Sequence, residues 1–303
     1  MKRAEIVRKS DEYGRGCDRE CSRKYRRKYD RKYDREEAVS TVVAVMLILA
    51  ILATCISVYT STYVPGLKQQ AEIMHSQSVE QAFLRFASGV DNIYGQKKSA
   101  KFSEPVVLGG GDVLLSSVKS GGMIEITDFR AGELLITGDG SPVDTVAINS
   151  TCVKYTPYFS SWENQGYLYR KGTVWVTKNN ETKTAPASLS LNSVNDGYEN
   201  EKNTIRKYFE GMADTWRTYP APDLGTANAE ITIVTMNAVK PDTISGSGSA
   251  VLVSSAVEDS KEYILEKPGE VILKNTDGYG KSMPFSGNTT LTLKILKIEV
   301  YTS

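Results

Sequence analysis

The chain has 303 residues, 37 Lys/Arg against 36 Asp/Glu, one histidine and four cysteines. The near-neutral total conceals a split: residues 1–37 carry a net charge of +5 and the remainder a net of −4. A lone histidine excludes an intrachain multi-histidine metal site and leaves Ser/His/Asp catalysis without a workable geometry. Acids interleaved with bases dilute the field that nucleic acid would need.

Residues 1–37 form a basic cytoplasmic segment. Cys17, Cys21, Tyr25, Tyr29, Tyr33 and Glu37 recur every four residues, and Glu20–Lys24 and Arg26–Asp30 are opposite charges at the same spacing. This is the spacing of neighbours on a helix face. The tyrosines and the Lys/Arg stems suit a surface of lipid headgroups. Cys17 and Cys21 would need ligands from another molecule to hold a metal, so they read as reduced thiols.

No charge occurs from Ala38 to Leu67, and Val39–Val58 is almost wholly aliphatic. Twenty helical residues cover roughly 30 Å, the thickness of a bilayer's hydrocarbon core. Residues 38–60 therefore read as a single transmembrane helix in a cell membrane. Positive charge stays on the cytoplasmic side, so the flanks predict an N-terminus inside and a C-terminal domain that is extracellular. A secretory signal would have a shorter apolar run and a small-residue cleavage site. Ala44, Ala50, Ala53 and Ser57 are small enough to be candidate helix–helix contacts.

Residues 61–98 continue as a juxtamembrane amphipathic helix. Tyr59 and Tyr63 suit the outer interface, and Pro65-Gly66 marks a kink or brief break. Leu67, Ala71, Met74, Val79, Phe83, Phe86, Val90 and Ile93 recur at three- and four-residue intervals, an apolar stripe. The single histidine, His75, lies close to that stripe and reads as a helix-surface residue facing the outer domain.

From residue 99 to 303 the texture is β. Short runs such as "GMIEIT", "DTVAINSTCVKY", "GTVWVTK", "ASLSL", "AEITIVTMNAV", "SAVLVSSAV", "EYILE" and "TLTLKILKIEVYTS" are separated by turn clusters at Gly138–Pro142, Asn195–Gly197 and Asp277-Gly278. One helix interrupts them, with Ile205, Phe209, Met212 and Trp216 on one face. The expected fold is α+β: a long N-terminal helix, then a mainly antiparallel sandwich- or barrel-like extracytoplasmic domain with one short helix.

Motifs for chemistry are missing. Gly246-Ser247-Gly248 lacks the third glycine of a dinucleotide fingerprint. Ser116-x-x-Lys119 lacks the companion motifs of serine–lysine enzymes. No carboxylate pair has a spacing that argues for a hydrolase, and the Asp/Gly turns lack calcium-loop spacing. No catalytic, cofactor-binding or metal residue is assigned, and no cofactor. Two features carry more content. Asn149, Asn180 and Asn288 begin N-glycosylation sequons. Seven of the 27 aromatics fall between Tyr155 and Trp175. Tyr158, Trp162 and Tyr167 among them would form a binding patch if exposed together, and a hairpin core if buried.

"EEAVSTVVAVMLILAILATCISVY", a helix beyond it and a β-rich exported domain together resemble the archaeal type IV pilin-like and membrane-anchored surface proteins. Ala38, Val39, Ser40, Val42 and Val43 match the opening of their apolar helix, and "YVPGLKQQAEIMHSQSVEQAFLRF" is similar too. The likeness covers residues 35–93. It implies a processed subunit whose helices bundle into a filament. Thr41 stands where proline is usual, and Glu36-Glu37 occupy the cleavage position, so processing and retention of the inner segment both stay open. The expectation is a non-enzymatic, single-pass, pilin-like surface protein with a structural or adhesive role. Its partners are membrane lipid and, through the N-terminal helix, further copies of itself, with no nucleic acid. The alternative is a membrane-tethered binding or sensor module for a sugar, peptide or ion.

Overall fold

A computed structural model describes residues 41–110, 113, 119–170, 172–178, 181–183, 206–220, 227–240 and 242–303. Thr41–Gln96 is one helical run, made of α1 (residues 41–58), a π-helical turn at Tyr59–Tyr63 and α2 (Val64–Gln96). The sequence places a kink or break at Pro65-Gly66. The structure instead widens the turn just before it. Proline lacks an N–H and crowds the carbonyl four residues back. A π turn accommodates that crowding without ending the helix. Hydroxyls of Thr60 and Ser61 donate back to the carbonyls of Ile56 and Val58, at 2.9 and 3.3 Å, and so occupy backbone acceptors there.

The chain divides into two compact units, Met1–Tyr63 and Val64–Ser303. In the first, every residue of α1 is exposed, with Val42, Leu47, Ile51, Leu52 and Ile56 each more than half so. In the second, α2 is built into the β structure.

That β structure comprises two sheets. The five-stranded sheet runs β1 (Lys101–Val107), β10 (Ser249–Leu265), β13 (Thr289–Thr302), β8 (Ala227–Ala238), β7 (Arg217–Pro220). The other runs β12 (Gly280–Phe285), β11 (Gly269–Asn275), β2 (Gly121–Gly138), β3 (Ser141–Tyr158), β4 (Gln165–Arg170), β5 (Thr173–Lys178), β6 (Glu181–Lys183), with β9 (Asp242–Gly246) also on β2. Every pairing is antiparallel except β8 with β13, which run parallel from Thr289↔Ala227 to Val300↔Ala238. The expected α+β class, a long N-terminal helix followed by a mainly antiparallel β domain, is what the chain adopts.

The β2–β3 hairpin turns through Asp139 and Gly140, with φ of 55° and 74°. A two-residue turn with both φ positive matches the twist of its strands and favours an Asp-Gly pair. Farther along, β2 carries an extra residue between Arg130 and Gly132. The bulge divides its outer edge: β9 pairs with Gly122–Ile126 and β11 with Gly132–Gly138. A short helix, α3 (residues 206–213), sets Phe209 against this bulge and buries Met212.

α2 packs on β1 and β10 of one sheet and on β4 and β5 of the other. Val79, Phe83, Phe86, Val90 and Ile93 join Ile124, Ile126, Val153, Tyr155, Tyr167, Tyr169 and Leu252 in one core. Phe86 meets Tyr169 edge to face at 5.2 Å. The helix thus seals the interior where the two sheets do not meet each other.

Two glycines test this packing in opposite directions. A Cβ on Gly132 would lie 2.2 Å from the Lys274 carbonyl oxygen and 2.6 Å from the Phe209 ring, whereas one on Gly66 would meet nothing within 4 Å. Denaturant unfolding of the detergent-solubilised chain should show Gly132→Ala destabilised by about 1–3 kcal/mol. Gly66→Ala should be neutral or stabilised by up to about 1 kcal/mol.

Candidate functional site

The buried face of α2 changes character along its length. Beyond Val79 it is apolar. Between Val64 and Val79 it consists of Lys68, Glu72, His75 and Ser76, all buried. Lys68, Glu72 and Ser76 are spaced by four, so a single helix face carries them in line with Val79, Phe83 and Phe86.

Glu72 has no solvent exposure. Its Oε1 accepts the Ser120 hydroxyl at 2.6 Å and the Ser160 amide at 3.0 Å, and its Oε2 accepts the Ser161 amide at 2.9 Å. Burial alone would raise the pKa of the carboxyl. The Ser120 hydroxyl, the two amides and the Lys68 charge together outweigh it and hold the group below its ordinary value. The acid is therefore an ionised, fully solvated-by-protein carboxylate that ties α2 to the Ser120 segment and to the loop after β3.

One turn on, His75 Nε2 lies 3.0 Å from the Tyr155 hydroxyl, which donates to the Leu108 carbonyl at 3.0 Å. The imidazole, the Tyr155 phenol and the Leu108 carbonyl thus form one buried hydrogen-bonded group. Burial lowers the pKa of the imidazole, and the Leu108 carbonyl and the Glu72 charge only partly offset this. Phe159 closes over the ring at 5.8 Å. Ser76 shares a 3.0 Å hydrogen bond with the Tyr167 hydroxyl, which also accepts from Gln165 at 3.1 Å. Further along, Arg85 and Glu104 form a 2.7 Å ion pair between α2 and β1. This arrangement clamps a helix and offers no substrate an open, activated group. Among the described residues no three His, Cys, Asp or Glu side chains come together as a metal site.

The residues singled out in the sequence are dispersed. Tyr158 is half exposed, Trp162 is half-buried and Tyr167 is in the core, so the three do not make one exposed patch. Alternation along "GYLYR" is the reason: Tyr167 and Tyr169 point inward on β4, opposite Tyr155 and Val153 of β3. These aromatics fill the core of the β3–β4–β5 hairpins. Asn149 is half-buried, with its amide donating to Asn237 at 2.8 Å. Asn288 is exposed in the turn before β13 with φ of 59°, and Asn180 lies outside the described residues, as do Ser116, Cys17 and Cys21. Ala44, Ala50, Ala53 and Ser57 are all exposed. At about 100° per residue, Ala50, Ala53 and Ser57 share one side of α1 and Ala44 falls on the other. The Cys152 thiol is half-buried, and burial raises its pKa, so it is not an activated nucleophile. A partly open pocket of about 40 Å³ lies beside Tyr94, Asn149 and Tyr208 and has room for water.

The polar half of the α2 stripe is what sequence reading missed. A stripe search that counts only apolar residues selects Leu67, Ala71 and Met74, yet Met74 is 70% exposed and Glu72 fully buried. The usable signal was the i, i+4 continuation Lys68–Glu72–Ser76 into Val79 and Phe83. Comparison with protein-family models, with curated proteins and with solved structures gives no match.

The two titrating groups act in the same direction on stability. The His75 pKa lies below 6.5, so its contribution is full above that pH and is lost as pH falls toward the folded value. The Glu72 pKa lies below 4.5, so its contribution is lost lower still. Thermal unfolding from pH 7 downward should therefore show the Val64–Ser303 unit weakening first below about 6.5. His75→Gln should flatten that first limb, and Glu72→Gln should flatten the one below about 4.5. Glu72→Ala should cost roughly 3 kcal/mol at neutral pH, because it leaves the Ser120 hydroxyl and the Ser160 and Ser161 amides without their acceptor.

Proposed function

We propose that this chain is a non-enzymatic, single-pass membrane-anchored surface protein of pilin-like layout, with its N-terminus cytoplasmic and its β unit outside, in a structural or adhesive role. One observation carries the reading. The chain has a helix long and apolar enough to cross a membrane, and the apolar part of it finds no burial within the protein. Residues 41–58 expose Val, Leu and Ile around the whole circumference. A soluble monomer rarely leaves so large an apolar surface in water. Lipid satisfies it at no cost in hydrogen bonds, because a helix keeps its own backbone paired. The basic residues of segment 1–37 supply the orientation.

The burial of Tyr167 and the closure of the Glu72 cluster on itself support the structural reading over a sugar-, peptide- or ion-binding module. The pilin-like part of the proposal is that copies associate through the side of α1 bearing Ala50, Ala53 and Ser57, which is narrow enough for close helix approach.

A tag placed after Ser303 should be removed by protease added to intact cells, and the protein should need detergent for extraction. A protected tag, or a chain soluble without detergent, rejects the topology. In a Cys17→Ser/Cys21→Ser background, oxidation of membranes carrying Ala53→Cys should yield covalent dimers. Native Cys55, about 160° around α1 from Ala53 by helical geometry, should not. An absence of dimers from Ala53→Cys leaves a monomeric anchor.

A further inference from the structure

We infer that the outer unit rests directly on the bilayer, with the loop after β3 laying Tyr158 and Trp162 into the headgroup layer of the same membrane that holds α1. The inference depends on the membrane-anchor reading above and adds a lipid-contact surface to it.

Chain length supplies the first argument. From Thr41 to Leu67 the helix is uncharged, and at 1.5 Å per residue it covers roughly 40 Å. This matches a bilayer measured through its headgroups, about 40–45 Å. Glu72 follows five residues later, roughly 8 Å along the axis. The amides of Ser160 and Ser161 are bound to Glu72. The loop containing Trp162 is therefore tethered within a side chain's reach of the headgroups, whatever the tilt of the helix.

Burial supplies the second. Lys68 and Glu72 are the first two charges after the apolar run, where a free-standing helix would expose both to water. Here they are 4% and 0% exposed. Protein covers α2 from Val64, three residues before the uncharged run ends, so no stretch of bare charged helix lies between lipid and protein.

The third argument is the chemistry of the loop. Tyr158 is 52% exposed and Trp162 partly so, and amphipathic rings of this kind concentrate at membrane–water interfaces. The loop is also held in shape. The Phe159 amide donates to Asn164 Oδ1 at 3.0 Å, the Gln165 amide to the Glu163 carbonyl at 2.8 Å, and Phe159 itself is buried against His75. A rigid loop presents its aromatics with little ordering entropy left to lose on contact.

The tryptophans allow a direct test, since all three (Trp162, Trp175 and Trp216) lie in the outer unit and none in α1. The full chain is reconstituted into phosphatidylcholine vesicles with and without lipid brominated just below the headgroup, and floated on a density gradient. Floated wild type should lose roughly a quarter of its tryptophan emission to the brominated lipid. Trp162→Phe, checked for an unchanged thermal transition, should lose under about a tenth. Floated wild type that is not quenched overturns the inference, as does Trp162→Phe quenched as strongly as wild type. Protein that stays at the bottom of the gradient overturns the anchor reading, and this inference with it.

Discussion

Between Ile56 and Lys68 a single backbone passes from side chains with no protein partner to a helix with one face wholly buried. A helix in lipid needs only to be apolar all round, whereas a helix in a β core must commit one face. The π turn at Tyr59–Tyr63 and Pro65 fall at this change, and the Glu72 cluster lies just after it. Removing Glu72 would free the first turns of α2 from the Ser120 and Ser160 segments. The apolar seal made by Phe83 and Phe86 would then begin at a loose end.

The Glu72 cluster ties α2 to the β structure within the first turns of the helix. Three donors grip that carboxylate from two segments far apart in sequence. Charge-assisted hydrogen bonds are among the stronger non-covalent ties available to a chain.

Much of this architecture is legible in the sequence, and the exceptions have physical causes. The apolar helix, the stripe from Val79 to Ile93 and the turn cluster Gly138–Pro142, which holds the β2–β3 turn, each depend on a local rule. "SAVLVSSAV" and "EYILE" read as two strands but are one, β10. Its partner β1 ends at Lys101↔Ser255, so beyond that point β10 pairs only with β13 and exposes most of its residues, and the alternation that marks a strand disappears. β7, β9 and β12 are short strands with just one pairing partner each and little burial to leave a pattern. Lys68 and Glu72 were passed over because charge on a helix usually marks its wet face. Only the tertiary fold supplies the donors that make an exception of them. The role of Tyr167 was settled by pairing with β3, which no local window contains.

The parallel pairing of β8 with β13 bears on how the molecule is made. β13 sits in the middle of its sheet, yet it follows β1, β8 and β10 in the chain. During synthesis α2 and β1 emerge early and must wait for strands far downstream before their sheet can be completed. Long-range pairings of this sort close slowly. The nascent polypeptide therefore passes through a period in which Phe83, Phe86 and Glu72 lack their final neighbours. On the membrane-anchor reading proposed above, insertion of α1 and completion of the β unit are separated in time.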